Sequence, residues 1–423
     1  PPVAAAAAAA GPAKHASVRF LGSSLALSAG THGAASLRSL SAGGGNAISL
    51  VPPSRWAVDG PDYPEGAIGE RAKHGGFIVG VEGFDATFFA IPPAEVAAMD
   101  PQQRLLLEGG YEALLAGGLD KAALTGSSTG VFVGIAFCDW HDLLTSTSLG
   151  QSVYSSTGAS HAIACGRLSY ALGLHGPCVS METACSSALV ANHAALSALE
   201  RDECESALVT AVMLMLLPTV SWACAVASLT SALGRSLSFD KRADGYVRGE
   251  ACGALVLAGD GAGDEAAGPG RPRPLSSCVK QSGRSASLTA PNGSAQQQLM
   301  RAGLQQAAIP LEEIACLEAA ANGSPLGDPI EAGSIRATQA ARPSGGRPLV
   351  VGTVKANLGH GETASGVTGL VRLAIGLGGG HAPPNAQLRV LNAHVASALQ
   401  GGTSWALPSQ LTHLSGGGGG GRG

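Results

Sequence analysis

The chain has 423 residues, 45% hydrophobic and 13% charged, which is enough for a large buried core arranged as one double unit or two to three domains. A net charge of −4 and an aromatic content of 4% argue against nucleic-acid binding, which relies on basic patches and stacking platforms. Nine cysteines, an odd number without a C-x-x-C pair, argue against a disulfide scaffold or a paired zinc site and point to reduced thiols inside a cell.

In chain order, residues 1–17 open with PPVAAAAAAAGPAK and are of low complexity. They read as a linker or a leader, the latter in the sense of a transit-peptide remnant. GVFVGIAF (130–137) is a compact apolar run bounded by glycine and predicts a buried strand. AALSALERDECESAL (194–208) has apolar residues at helical spacing. The uncharged stretch 206–234 contains ALVTAVMLMLLPTV, yet Pro218 interrupts it. It fits a buried strand and a following segment, not a membrane span. CGALVLAG (252–259) predicts a strand, and GAGDEAAGPGRPRP marks a seam between two halves. In the second half, 294–309 and 366–377 predict helices and PLVVGTV (348–354) a strand. Strands alternating with helices predict an α/β architecture with layered sheets. The tail 415–423, SGGGGGGRG, reads as a flexible linker.

The segment GPCVSMETACSSALVANHAAL (176–196) carries the chemistry. Cys185 stands between small residues, just ahead of an apolar helical pattern. Backbone N–H groups at a helix start favour the thiolate, the nucleophilic form of cysteine. The small neighbours leave room for an acyl chain, although the local pattern alone also suits a cysteine packed in a core.

TACSSALVA resembles the active-site signature of β-ketoacyl synthases, and further blocks follow in the same order. FDATFFAIPPAEVAAMDPQQRLLLEGGYEAL (84–114), IACGRLSYALGLHGP (163–177) and FDKRADGYVRGEACGALVL (239–257) are similar to the ketosynthase domains of modular polyketide synthases. LTAPNGSAQQ (288–297), PLGDPIEAGSIRA (325–337) and GTVKANLGHGETASGVTGL (352–370) complete a series spanning about residues 18–395. The resemblance implies a thiolase-like five-layer α-β-α-β-α fold of two similar halves. Residues 18–262 would form the half with the nucleophile and 263–414 the half with the Lys and His. It also implies that Cys185 accepts an acyl group from the phosphopantetheine of an acyl carrier protein. A malonyl-type thioester then decarboxylates and attacks that acyl group, a decarboxylative Claisen condensation. Lys355 in KAN and His360 in NLGH match the family's supporting residues. No bound cofactor or metal is implied. A homodimer is, with no nucleic acid and no membrane span, in the cytoplasm or, if the N-terminus is a transit-peptide remnant, in a plastid.

Three departures stand out. Where the family reads EAHGTGT, this chain reads EAAANGS, so Ala320 occupies a histidine position and Asn322 lies two residues on. An alanine neither polarises a carbonyl nor moves a proton. His161, His175 and His193 are other histidines to consider, His193 reading more simply as a packed residue on a helix. The N-terminal RFLGSSLALSAG is less apolar than the family's strand, and the family's C-terminal Gly-rich block is missing or degenerate. Besides an elongating enzyme, the sequence leaves open a non-elongating acyl-transferring relative and a catalytically silent scaffold protein.

Overall fold

The computed structural model describes residues 18–259, 271–343, 346–400 and 405–414. The low-complexity start, most of the Gly/Pro seam and the glycine tail lie outside the described residues. In the first half, β1 (Val18–Leu27), β2 (Thr31–His32), β3 (Gly130–Gly134), β4 (Cys178–Met181), β5 (Ser206–Met213) and β6 (Ala251–Gly259) form one sheet. Its order is β2-β1-β6-β5-β3-β4. β5, β3 and β4 run parallel, while β6 is antiparallel to both β1 and β5. β4 is one of the two edge strands, and its Val179 and Cys178 are exposed.

Every residue of β5 is buried, because helices cover both faces of the sheet. Alternate side chains point in opposite directions. Ala207, Val209 and Ala211 pack with α4 (Ser187–Glu200). Leu208 and Val212 pack with α2 (Pro101–Ala116) and α3 (His161–Leu172). α1 (Gly33–Ala42) flanks β1. The less apolar N-terminal segment still forms a ten-residue strand. Gly22 lets it close on α2, since a Cβ there would meet the Ala113 carbonyl oxygen at 2.3 Å.

The helical spacing of 194–208 is overridden after Glu200. Asp202 turns left-handed (φ 54) and Ser206 begins β5. Ladder bonds to both β3 and β6 hold that segment extended, and tertiary pairing of this kind outweighs local propensity.

The second half contains α5 (Gly293–Ala307), β7 (Cys316–Glu318), α6 (Gly327–Thr338), β8 (Leu349–Gly352), α7 (Lys355–Leu358), α8 (Ser365–Gly379), β9 (His381–Ala382), α9 (Ala393–Ala398), β10 (Trp405–Ala406) and β11 (Thr412–His413). Parallel strands in the order β10-β8-β7 make a second sheet, and β9 pairs with β11. The Asn292 side chain caps α5 by accepting from the Ser294 and Ala295 N–H groups, a favoured start for a helix.

Val367 and Val371 of α8 share a core with α4 between the two sheets. Ala332 and Ile335 of α6, with Val395 of α9, cover the far face of β8. The layers therefore run α2/α3, first sheet, α4/α8, second sheet, α6/α9. The second sheet has three strands among the described residues, against six in the first. No helix among the described residues is long and apolar enough to cross a membrane.

Candidate active site

β4 delivers the chain to a tight turn, Ala184–Ser186, directly ahead of α4. Ala184 is left-handed (φ 50), a conformation that costs an L-residue about 1 kcal/mol. Side chains hold it in place. The Thr183 N–H donates to Ser187 Oγ (2.9 Å), and that hydroxyl donates to the Ala184 carbonyl (2.7 Å). Ser186 Oγ donates to the Thr183 carbonyl (2.7 Å). Ser187 and Ala188 are thereby buried while Cys185 is exposed at the turn. Gly134, at the end of β3, makes this placement possible. A Cβ at that position would lie 2.9 Å from the Ala188 nitrogen.

The second half supplies the opposite wall. α7 follows β8 and opens with Lys355, and the chain then turns through His360 toward α8. Backbone bonds clamp that turn to the first half. The His360 N–H donates to the Val247 carbonyl (2.7 Å), and the Gly249 N–H donates to the His360 carbonyl (2.9 Å). The His360 ring is buried and meets the Tyr246 ring edge-on at 5.1 Å.

Its Nδ1 accepts from the Glu362 N–H (3.1 Å) and lies 2.7 Å from Ser365 Oγ. An acceptor Nδ1 leaves the proton of the neutral ring on Nε2. Burial, reinforced by the positive charges of Lys355 and Arg248, holds the imidazole well below its ordinary value of 6.5. Neutral His360, with its proton on Nε2, is a hydrogen-bond donor and not a cation. Arg248 is itself neutralised by a buried pair with Glu362 (2.6 Å).

Cys185, Lys355 and His360 line one cavity of about 320 Å³. Glu318, Ala320 and Asn322 line it too, with Leu189, Leu370 and Leu373 as its apolar part. The loop carrying Ala320 and Asn322 is held by acidic side chains. Glu331 accepts from the Ala320 and Ala321 N–H groups (2.7 and 2.8 Å). Asp328 accepts from Gly323 and Ser324, and burial pushes its carboxyl up to about 6. Nothing in this scaffold depends on the side chain at position 320, which is a methyl group facing the cavity. His161, His175 and His193 are not part of that lining. His193 Nδ1 instead contacts Ser277 Oγ at 3.1 Å. Among the described residues, no cluster of three His, Cys, Asp or Glu side chains could hold a metal ion.

Two participants lie outside what the motifs reveal. Ser365 sits five residues past His360 and sets its tautomer together with the Glu362 N–H. Glu318 is visible in the sequence only as a flank of the altered motif. Its carboxylate accepts from the Val354 N–H (2.6 Å) and pairs with Arg372. Burial raises its pKa, against the pull of Arg372.

Comparison with known proteins agrees with this geometry. Residues 17–260 match the family described as β-ketoacyl synthase, N-terminal domain, and residues 275–389 match β-ketoacyl synthase, C-terminal domain. One phenolphthiocerol/phthiocerol polyketide synthase polypeptide of Mycobacterium tuberculosis is 39% identical over 373 residues, covering 87% of this chain and 24% of that protein. Another polypeptide of the same synthase and species is 40% identical over 355 residues, covering 82% and 19%. The chain thus spans about a quarter or less of these relatives. Among solved structures, the ketosynthase from module 6 of the bacillaene synthase of Bacillus subtilis superposes with a TM-score of 0.82 at 29% identity, covering 94% of this chain and 67% of that one. An oxazolomycin ketosynthase domain from Streptomyces albus gives 0.84 at 27% identity, with 94% and 68% covered. The chain belongs to the β-ketoacyl synthase family: it is a ketosynthase domain of the polyketide synthase type, an acyl-transferring condensing enzyme with the thiolase-like fold.

Proposed function

We propose that Cys185 is the acyl-accepting nucleophile and that His360 and Lys355 support the condensation that follows. The cavity shared by these three side chains, with the thiol from one half and His360 and Lys355 from the other, is the observation that carries this reading. The Cys185 sulfur attacks the carbonyl of a thioester borne on the phosphopantetheine of an acyl carrier protein. The carbon–sulfur bond to that carrier breaks, and its thiol leaves with the proton. A malonyl-type thioester then loses CO₂. The resulting carbanion attacks the Cys185 thioester, forming a carbon–carbon bond and releasing the Cys185 thiolate. His360 Nε2–H donates to the thioester oxygen as negative charge develops there, and such donors lower a barrier by about 3 kcal/mol. Phosphopantetheine arrives on the carrier and is not resident in the chain.

Residues 18–262 and 263–414 serve on this reading as the two catalytic halves. The open β4 edge with its exposed Val179 supports pairing as a homodimer. Nine free thiols support a reducing compartment such as the cytoplasm. Ala320 separates the two chemical steps. Acyl transfer draws on Cys185 and a donor, whereas decarboxylation proceeds without the second imidazole and is the slow step.

The test is intact-protein mass spectrometry with an acyl thioester donor. A stoichiometric adduct on the native chain, absent from Cys185→Ala, is the expected result. An adduct that persists in Cys185→Ala, or none on the native chain, refutes the assignment.

A further inference from the structure

Away from the Cys185 cavity, residues 412–414 fold back on the end of α8. Gly380 turns left-handed (φ 66) directly after that helix and leads into β9. β9 and β11 are antiparallel strands of two residues each, with His381 directly opposite His413. The Leu414 N–H extends the pairing by donating to the Gly380 carbonyl (2.8 Å). Directly opposed residues of an antiparallel pair project from the same face. The two imidazoles accordingly meet, with ring centres 4.4 Å apart and planes inclined by 48°.

The tautomer of His381 is set by its surroundings. Its Nδ1 is hydrogen-bonded to the Gly379 carbonyl, which only accepts. Nδ1 therefore carries the proton, and Nε2 of the neutral ring keeps its lone pair. A ring nitrogen that donates to a backbone carbonyl is the arrangement that orients histidines as metal ligands. His413 is exposed and His381 half-buried, so an ion reaches the pair from solvent.

Spacing narrows the choice of ion. Imidazoles bonded to one ion at about 2.1 Å have ring centres about 4.5 Å apart when the bonds meet at a right angle, and about 5.2 Å apart in a tetrahedron. The observed 4.4 Å matches the right-angled arrangement, which divalent copper and nickel adopt with nitrogen and oxygen ligands. We propose that His381 and His413 form a chelating site for a divalent ion of the copper–nickel class, with water completing its coordination. Among the described residues, no third His, Cys, Asp or Glu side chain joins them, and Arg38 lines the cavity beside His381. The ion is thus held by coordination and not by opposite charge. Once bound, it fastens residue 413 to residue 381 and closes the segment between them, which carries α9 and β10. Such a clip stabilises the folded state, because the unfolded chain does not hold the two rings together.

The test is titration calorimetry of the full, untagged chain with Ni²⁺ at about 0.5 M salt, where attraction to scattered carboxylates is screened. One ion should bind per chain. His413→Asn, which alters an exposed side chain, and His381→Asn should each weaken it by about tenfold or more, since removal of even an outer-shell partner costs that much. Ni²⁺ should raise the melting temperature of the native chain and leave that of His413→Asn unchanged. Cys185→Ala should bind Ni²⁺ as the native chain does, because its thiol and His360 belong to the other cavity. Unchanged affinity in a folded His413→Asn chain, loss of the ion in Cys185→Ala, or no binding at this salt concentration overturns the proposal.

Discussion

Ala320 faces the Cys185 cavity with a methyl group, at the position where the resemblance carries an imidazole. Its backbone N–H is fixed by Glu331, so the loop keeps its course whatever side chain stands there. Ala320→His should therefore install a donor without disturbing the fold, and raise malonyl-carrier decarboxylation by about 10²-fold, the lower range for one acid–base group. Release of CO₂ from labelled malonyl carrier measures this, and a folded variant with no gain would mean that the missing imidazole is not what limits the step. Cys185, Lys355 and His360 were legible because each lies within a contiguous motif. Ser365 and Glu318 were not, because their roles arise from contacts. Glu318 meets Arg372 across 54 positions of sequence, and Arg248 meets Glu362 across 114.

At the scale of elements, α2 shows how the first half is braced. Leu106 is fully buried in the core that joins this helix to β5 and β6. Leu106→Ala should cost about 3 kcal/mol through lost burial and a residual cavity. Urea unfolding measures that cost, and a loss below about 1 kcal/mol would mean that the helix relaxes into the space. Most strands and helices announced themselves through apolar runs and spacing, and the stretch 194–208 shows where spacing fails. The internal likeness of the halves was invisible in the residues. The turn before α4 and the turn before α8 each begin with a left-handed residue, Ala184 (φ 50) and Glu362 (φ 40), and each runs into a helix opening with serine. Backbone shape is what the two turns share, and ACS and ETA spell it differently.

Across the whole molecule, His360 ties stability to pH. In the folded chain its pKa lies well below 6.5, whereas the unfolded imidazole titrates near that value. As pH falls through 6.5, the unfolded chain takes up a proton that the folded chain refuses, and stability declines. Above 6.5 both states are neutral at this ring and the contribution is complete. Buried Asp100 and Asp328, both pushed up to about 6, act in the opposite direction, since their ionisation as pH rises disfavours the folded state. The comparison that isolates His360 is the drop in unfolding midpoint between about pH 7.5 and about pH 5, in the native chain and in His360→Gln. The drop should be larger in the native chain; equal drops would show that the ring protonates freely in the folded state. The five-layer order followed from the collinear motifs, whereas the inequality of the two sheets depends on pairing that composition does not encode.

The edge position of β4 has a practical consequence for thiol chemistry. Of the nine free cysteines only Cys178 and Cys185 are exposed, the first on that edge and the second on the turn that follows it. Burial pushes others out of easy reach of electrophiles, Cys138 to about 12 and Cys316 to about 11. The hydrogen bond with Cys165, together with burial, pushes the exposed Cys178 thiol up as well, so a maleimide or iodoacetamide count on the folded chain registers chiefly the turn at Cys185. Only the portion of label lost after loading with an acyl donor enumerates competent sites.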